Sequence, residues 1–468
     1  MLFNSLPFVI LIFATFILYY IPVLYKFQVP VLIIASLVFY AYNQPILVLL
    51  LLLSVSINII SSYLVVYGKI RYRKHAAIAG VVLNLAILIF FKYSALIYTT
   101  ITDGSDSFGQ FIVSIPLPIG ISFFTFQGIS LIVDVYSRKY VLGEDIVPVS
   151  FVKHAERILF FKGFFPQLIS GPIVKAHDFL PQIGVKKIAD IAWEPIFKKL
   201  VVGYFFKMVV ADNLSNFTFW MTNPSFFIGS SSIKLITLLF GFSCQIFADF
   251  AGYSLIAIGL ARLFGYTFPD NFNFPYISTS FKDFWKRWNI SLSSFLMEYL
   301  YIPLGGNKRG KLRMYINLMI VMILGGLWHG AAWSYAVWGL MHGLALVVER
   351  MLSGKTHRPQ GIWIITLKRC LVFSFVTLAW LLFQLPKFEY VLVYLNSLLH
   401  NTTLVIDPDI VHIALYSSPV FLYHLLYVNR TNTIFQTIKK YDFVVYAILI
   451  FCIVLNSGPV SPFIYFQF

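Results

Sequence analysis

Residues 45–67 carry no charged side chain, and neither do residues 6–24 or 29–42. A helix needs about 20 apolar residues to cross the hydrocarbon core of a bilayer. Predominantly apolar segments suitable for spanning, most with a few charges, recur at 76–94, 118–134, 158–174, 197–215, 233–250, 252–265, 312–327, 330–348, 367–385, 410–428 and 442–456. Lipid offers no water to satisfy backbone amides, so only helices and closed barrels span it, and these runs have helical length. Composition agrees: 12% of the 468 residues are charged, against roughly 25% in a soluble domain. The expected fold is an all-α polytopic membrane protein of ten or more helices. No stretch of soluble composition interrupts it, so 1–468 is expected to form one continuous transmembrane domain.

The first run, 6–24, has no basic residues ahead of it, and Ile21-Pro22-Val23 offers no small-residue cleavage site. It reads as a retained helix rather than a secretory signal. The formal net charge of +16 could suggest a nucleic-acid partner. The cations, however, sit in short loops between apolar runs: Lys69, Arg71, Arg73 and Lys74; Arg138 and Lys139; Lys308, Arg309, Lys311 and Arg313. Cytoplasmic loops of membrane proteins are basic, so membrane lipid is the implied environment and no nucleic acid is needed. Counting early helices places Lys26 and the Lys69 loop on one side. Asn43-Gln44 and the acidic 103–106 loop fall on the other, which puts the N-terminus outside the cytoplasm.

Cys244, Cys370 and Cys452 have neither CxxC nor metal-ligand spacing and read as three small buried hydrophobes. No metal site is implied. Between 266 and 304 the pattern changes. Pro269, Asn271, Asn273 and Pro275 break helix, and Phe284-Trp285-Lys286-Arg287-Trp288 reads as an aromatic and basic lipid–water interface segment.

His329 stands in Leu324-Gly325-Gly326-Leu327-Trp328-His329-Gly330-Ala331-Ala332-Trp333. An ionisable side chain in an apolar run is costly and marks function by default. The glycines and alanines remove bulk so that a helix or a substrate can approach, and Trp328 and Trp333 could wall a pocket. A neutral imidazole shielded from water can take a proton from a hydroxyl and pass it on, as acyl transfer requires. A core histidine bonded to a neighbouring helix fits these local residues equally well. His342, in Trp338-Gly339-Leu340-Met341-His342-Gly343, repeats the His-Gly pairing. Asn289 could hold a carbonyl or orient an imidazole, or simply cap a turn. Asp249 needs a cationic partner, with Arg262 or Arg287 available, and an ion pair suits it better than acid catalysis. The glycines and cations of Gly305-Gly306-Asn307-Lys308-Arg309-Gly310 could meet a phosphate, but the P-loop pattern is absent. Nothing here forms HExxH or Asp-His-His-Cys. No internal repeat supports a transporter, although a transporter or glycan-export subunit with a proton-coupling or structural His329 remains the rival class.

Several motifs taken together resemble the membrane-bound O-acyltransferase family, in its bacterial polysaccharide branch. They are Phe284-Trp285-Lys286-Arg287-Trp288-Asn289-Ile290-Ser291, Tyr299-Leu300-Tyr301-Ile302-Pro303-Leu304-Gly305-Gly306-Asn307 and Gly325-Gly326-Leu327-Trp328-His329-Gly330. Outside this core, Pro118-Ile119-Gly120-Ile121-Ser122-Phe123-Phe124, Phe165-Pro166-Gln167-Leu168-Ile169-Ser170-Gly171-Pro172, Asp249-Phe250-Ala251-Gly252-Tyr253-Ser254 and the closing Phe463-Ile464-Tyr465-Phe466-Gln467-Phe468 are similar to that branch as well.

The resemblance implies a helical bundle around a central funnel, with the catalytic core at about 240–350 and His329 essential at its narrow point. It implies no permanently bound cofactor. Acetyl-CoA would deliver an acetyl group from the cytoplasm toward hydroxyls of an extracytoplasmic polysaccharide, through a secreted or membrane-anchored acetyltransferase partner. The protein would lie in the bacterial inner membrane. Trp328, Trp285, Arg287, Asp249 and His342 would line or support the channel. Two positions depart from the branch. Asn289 replaces a histidine and would hold or polarise the acyl carbonyl without titrating. Met297-Glu298 replaces an Arg-Asp pair, so any role of that arginine is missing here.

Overall fold

The computed structural model describes residues 1–42, 44–102, 106–138, 146–168, 171–352, 361–403, 407–432, 436 and 440–464. Expected features at Asn43, 103–105, Lys139, Ser170 and the closing Tyr465-Phe466-Gln467-Phe468 lie outside these residues. The described chain is helices joined by turns, with no strand. Among the described residues, seven helices are long and apolar enough to cross a membrane: Pro22–Ala41, Leu47–Tyr67, Ile70–Ile101, Ser232–Leu263, Gly310–His329, Ile362–Gln384 and Pro408–Val428. Shorter apolar helices at Leu6–Tyr20, Ile121–Ser137 and Asp442–Leu455 join them.

Four expected spans differ from what forms. The α-helix of the run 6–24 ends at Tyr20, because Pro22 drives Ile21 to an extended ψ of 121° and opens the next helical stretch. The run 158–174 stops as Phe151–Gly163. Pro166 has no N–H to return to the carbonyl of Lys162, and the chain turns there. The runs 233–250 and 252–265 are one continuous helix, Ser232–Leu263. Gly252 does not break it. Its bare Cα admits a neighbour, since an added Cβ would lie 2.9 Å from the Gly203 carbonyl oxygen. The helix Phe388–His400 was not anticipated.

The chain packs into two compact units, Met1–Leu200 with Ile256–Pro269, and Val201–Leu255 with Asp270–Phe468. The first unit has a polar seam among its helices. Lys162 Nζ donates to Ser54 Oγ at 2.7 Å, and Ser54 Oγ donates to Asn84 Oδ1 at 3.1 Å. Asn58 Nδ2 meets the same acceptor at 3.0 Å. Helices in lipid gain nothing from hydrophobic burial against each other, so hydrogen bonds and close packing hold them together. The second unit contains every candidate site residue.

Candidate active site

His329 is the last residue of the helix Gly310–His329, which ends because Gly330 is extended at φ −161°, ψ 158°. Three residues on, the chain re-enters helix as Trp333–Leu352. The two helices form a hairpin whose backbones touch. A Cβ on Gly326 would come within 2.2 Å of the Tyr335 carbonyl oxygen, and one on Gly339 within 2.3 Å of that of Met322. Part of the missing bulk near His329 is therefore filled by the protein itself, not left for substrate.

That contact folds His329 inward, where it is 3% exposed. Rings enclose it: Trp328 with centroids 5.0 Å apart, Trp338 at 5.3 Å and Phe383 at 5.0 Å. Trp333, expected as a wall, faces outward at 58% exposure. Trp338, one residue before the bare Gly339, is the ring that lies against the imidazole instead. On its other flank Trp338 meets His342 at 4.6 Å, so one indole separates two imidazoles. His342 is enclosed further by Trp285 at 5.2 Å, Phe284 at 6.1 Å and Phe375 at 5.4 Å.

The 284–289 segment reaches the same cluster from another direction. Phe284 and Trp288 are buried and stacked at 5.6 Å, because they lie four residues apart on one face of a short helical turn. Trp288 packs on Trp380 at 5.1 Å, and Trp380 stacks on Trp338 at 5.6 Å. These rings are core, not an interfacial belt; of this segment only Lys286 is exposed. Arg287 turns away as well. Its Nε donates to Asp283 at 2.9 Å and Nη1 donates to the Asn273 carbonyl at 3.1 Å, which pins the loop behind the aromatic cluster.

Asn289 has a left-handed φ of 45°, a conformation asparagine tolerates better than most residues. Asn271 holds the turn: its carbonyl accepts from Ile290 N–H at 2.9 Å, and its Oδ1 accepts from the Ser291 hydroxyl at 2.8 Å. Asn289 is 2% exposed, and its Nδ2 has no hydrogen-bond partner among the described residues. It is linked to His329 through the neighbouring indoles of Trp288, Trp380 and Trp338.

Asp249 pairs with neither Arg262 nor Arg287. Lys207 takes it, with Nζ 2.9 Å from Asp249 and 2.7 Å from Asp212. Lys207 lies in a π-helical turn, Phe205–Ala211, whose wider winding places its side chain between the two acids. The pairing spans positions far apart in sequence and left no local signal. The chain's end closes over this cluster: Lys207 Nζ donates to the Ser461 carbonyl at 3.0 Å, the Ser461 hydroxyl donates to Asp212, and Ile464 N–H donates to Asp249 at 2.7 Å. Asp249 thus belongs to a buried ionic anchor for the tail. The glycine turn at 305–306 is likewise structural, with Asn317 Nδ2 donating to the Leu304 and Gly306 carbonyls at 3.3 and 3.2 Å. Of the cysteines, only Cys244 is buried. Cys370 and Cys452 sit on outer helix faces that lipid can cover.

Membrane-length helices with a histidine enclosed by rings at the end of one of them define a polytopic membrane protein with an intramembrane imidazole site. Residues 153–366 match the profile of the membrane-bound O-acyltransferase family. A peptidoglycan O-acetyltransferase of Helicobacter pylori is 34% identical over 430 residues, 83% of this chain and 80% of that protein. A probable alginate O-acetylase AlgI of Pseudomonas aeruginosa is 35% identical over 405 residues, 83% and 73% of the two chains. A teichoic acid D-alanyltransferase of Bacillus subtilis is 29% identical over 287 residues, 58% and 70%. The chain belongs to the membrane-bound O-acyltransferase family. It is an acyltransferase and a multi-pass protein of the bacterial inner membrane, and the transport reading gives way to the enzymatic one.

Proposed function

We propose that this enzyme moves an acetyl group from acetyl-CoA on the cytoplasmic side to hydroxyls of an extracytoplasmic polysaccharide, with His329 as the general base. The catalytic core then lies at about 240–350, and a secreted or membrane-anchored acetyltransferase partner completes delivery to the glycan. The observation that carries this reading is the burial of His329 among Trp328, Trp338 and Phe383, in a chain similar to proteins named for acylating envelope polymers.

In a site walled by rings, an imidazole has little water to compete for its proton. His329 removes the proton from the accepting hydroxyl as that oxygen attacks the thioester carbonyl. The C–S bond breaks, and the proton returns to the departing CoA sulfur. The unpartnered Asn289 Nδ2 is a donor for the carbonyl oxygen as negative charge builds on it. Asparagine at this position polarises without titrating, so one imidazole carries the proton.

The test is the O-acetyl ester content of envelope glycans in cells carrying His329→Gln, with membrane insertion checked alongside. Loss of ester from a normally inserted protein supports the proposal. Normal ester content rejects it.

A further inference from the structure

His342 lies deeper than His329. It is fully buried, and neither Nδ1 nor Nε2 has a hydrogen-bond partner among the described residues. Two indoles that touch it, Trp285 and Trp338, carry buried N–H groups that are equally unpartnered. Buried polar groups in native proteins are bonded in more than about nine cases in ten. Leucine or phenylalanine would fill this space at lower cost if packing were all that mattered. Three polar side chains unmatched by the described residues, with both indoles against His342 and one of them, Trp338, also against His329, require a partner of another kind.

The chemistry of that partner follows from the groups present. An indole N–H only donates, while a neutral imidazole donates at one nitrogen and accepts at the other. No charged side chain is among the rings that enclose His342, which are Phe284, Trp285, Trp338 and Phe375. An ion would be poorly stabilised there. A neutral group that both accepts and donates, an amide or a hydroxyl, satisfies the set.

We propose that His342, with the Trp285 and Trp338 indoles, is a second polar subsite that holds an amide or hydroxyl of a reactant while His329 performs the proton transfer. This rests on the acyl-transfer reading above. The amide would come from the linker of the acyl donor, and the hydroxyl from the acceptor.

The experiment compares His342→Phe, His342→Gln and Trp338→Phe in the full-length protein. It measures envelope ester content, the dissociation constant for a non-hydrolysable acetyl-CoA analogue, and thermal melting. Phenylalanine keeps a ring and removes the polar atoms, so melting should hold or rise while ester content falls about ten- to a hundredfold. Glutamine restores a donor and an acceptor and should recover most of the activity. Trp338→Phe should fall in the same direction as His342→Phe.

If analogue affinity drops with ester content, the donor's amide occupies the subsite; if affinity stays and ester falls, the acceptor's hydroxyl does. Wild-type ester content in His342→Phe overturns the subsite. So does loss that glutamine fails to rescue together with a lowered melting point, which marks a packing role. An inactive His329→Gln beside a fully active His342→Phe would sink this inference alone. An active His329→Gln would sink the acyl-transfer reading beneath it.

Discussion

Two buried clusters of the second unit treat polarity in opposite ways. Around Lys207, charges are answered by charges: one ammonium sits between Asp212 and Asp249, and the tail adds Ser461 and Ile464. Around His329 and His342 the neighbours are rings, and His342 with the Trp285 and Trp338 indoles has no hydrogen-bond partner among the described residues. A buried ion closed on itself is scaffold, because removing either sign leaves an uncompensated charge. A buried neutral donor left open has value only when something else arrives to meet it. The comparison separates the residues that hold the fold from those that face chemistry, although both groups looked like intramembrane polar sites in the sequence.

Substitutions can break this contrast, and the largest effect belongs to His329. With His329→Gln, acetyl transfer by purified protein should fall by about a hundredfold or more, with the melting temperature unchanged. A lowered melting temperature would move His329 into the scaffold. Lys207→Met should do the reverse. It strands two carboxylates, a loss of about 3–5 kcal/mol, and should remove folded protein from size-exclusion profiles in detergent. A folded, active Lys207→Met would show that the ionic cluster is not the tail's anchor.

Gly326→Val tests the hairpin that sets His329 in place. Forcing side chain into that backbone contact costs about 1–3 kcal/mol and should lower melting temperature and turnover together. Arg287→Gln should matter least. Its partner Asp283 is part-exposed at 30%, and such pairs contribute about 1 kcal/mol or less. Activity and melting close to wild type are expected, and a large activity loss would return Arg287 to the site.

The membrane character was legible because charge-free runs of spanning length have one physical meaning, and most helix positions followed. Errors fell where one residue overrides a run, as Pro22 cut the first span and Pro166 ended another, and where two expected runs, 233–250 and 252–265, joined in one helix. At the site, the glycines and tryptophans around His329 fit a core histidine equally well, and only the family resemblance sets it above His342. The partner of Asp249 could not be read, since Lys207 lies 42 positions away in sequence and only a π-turn aims it. The enclosing rings were legible only in part. Trp328, Trp285 and Phe284 stand in motifs that the sequence singles out, whereas Phe383 and Trp380 lie in an apolar stretch with nothing to mark them. An aromatic in an apolar helix gives no sign of which ring it will meet.

The central claim is that an acyl group reaches the rings that enclose His329. Photolysis of the purified enzyme with an acyl-CoA that carries a diazirine on its acyl chain measures this directly, with labelled residues identified by peptide mass spectrometry. Label on Trp328, Trp338 or Phe383, suppressed by excess acetyl-CoA, is the predicted result. Competable label confined to helices that contribute none of these rings would contradict the account.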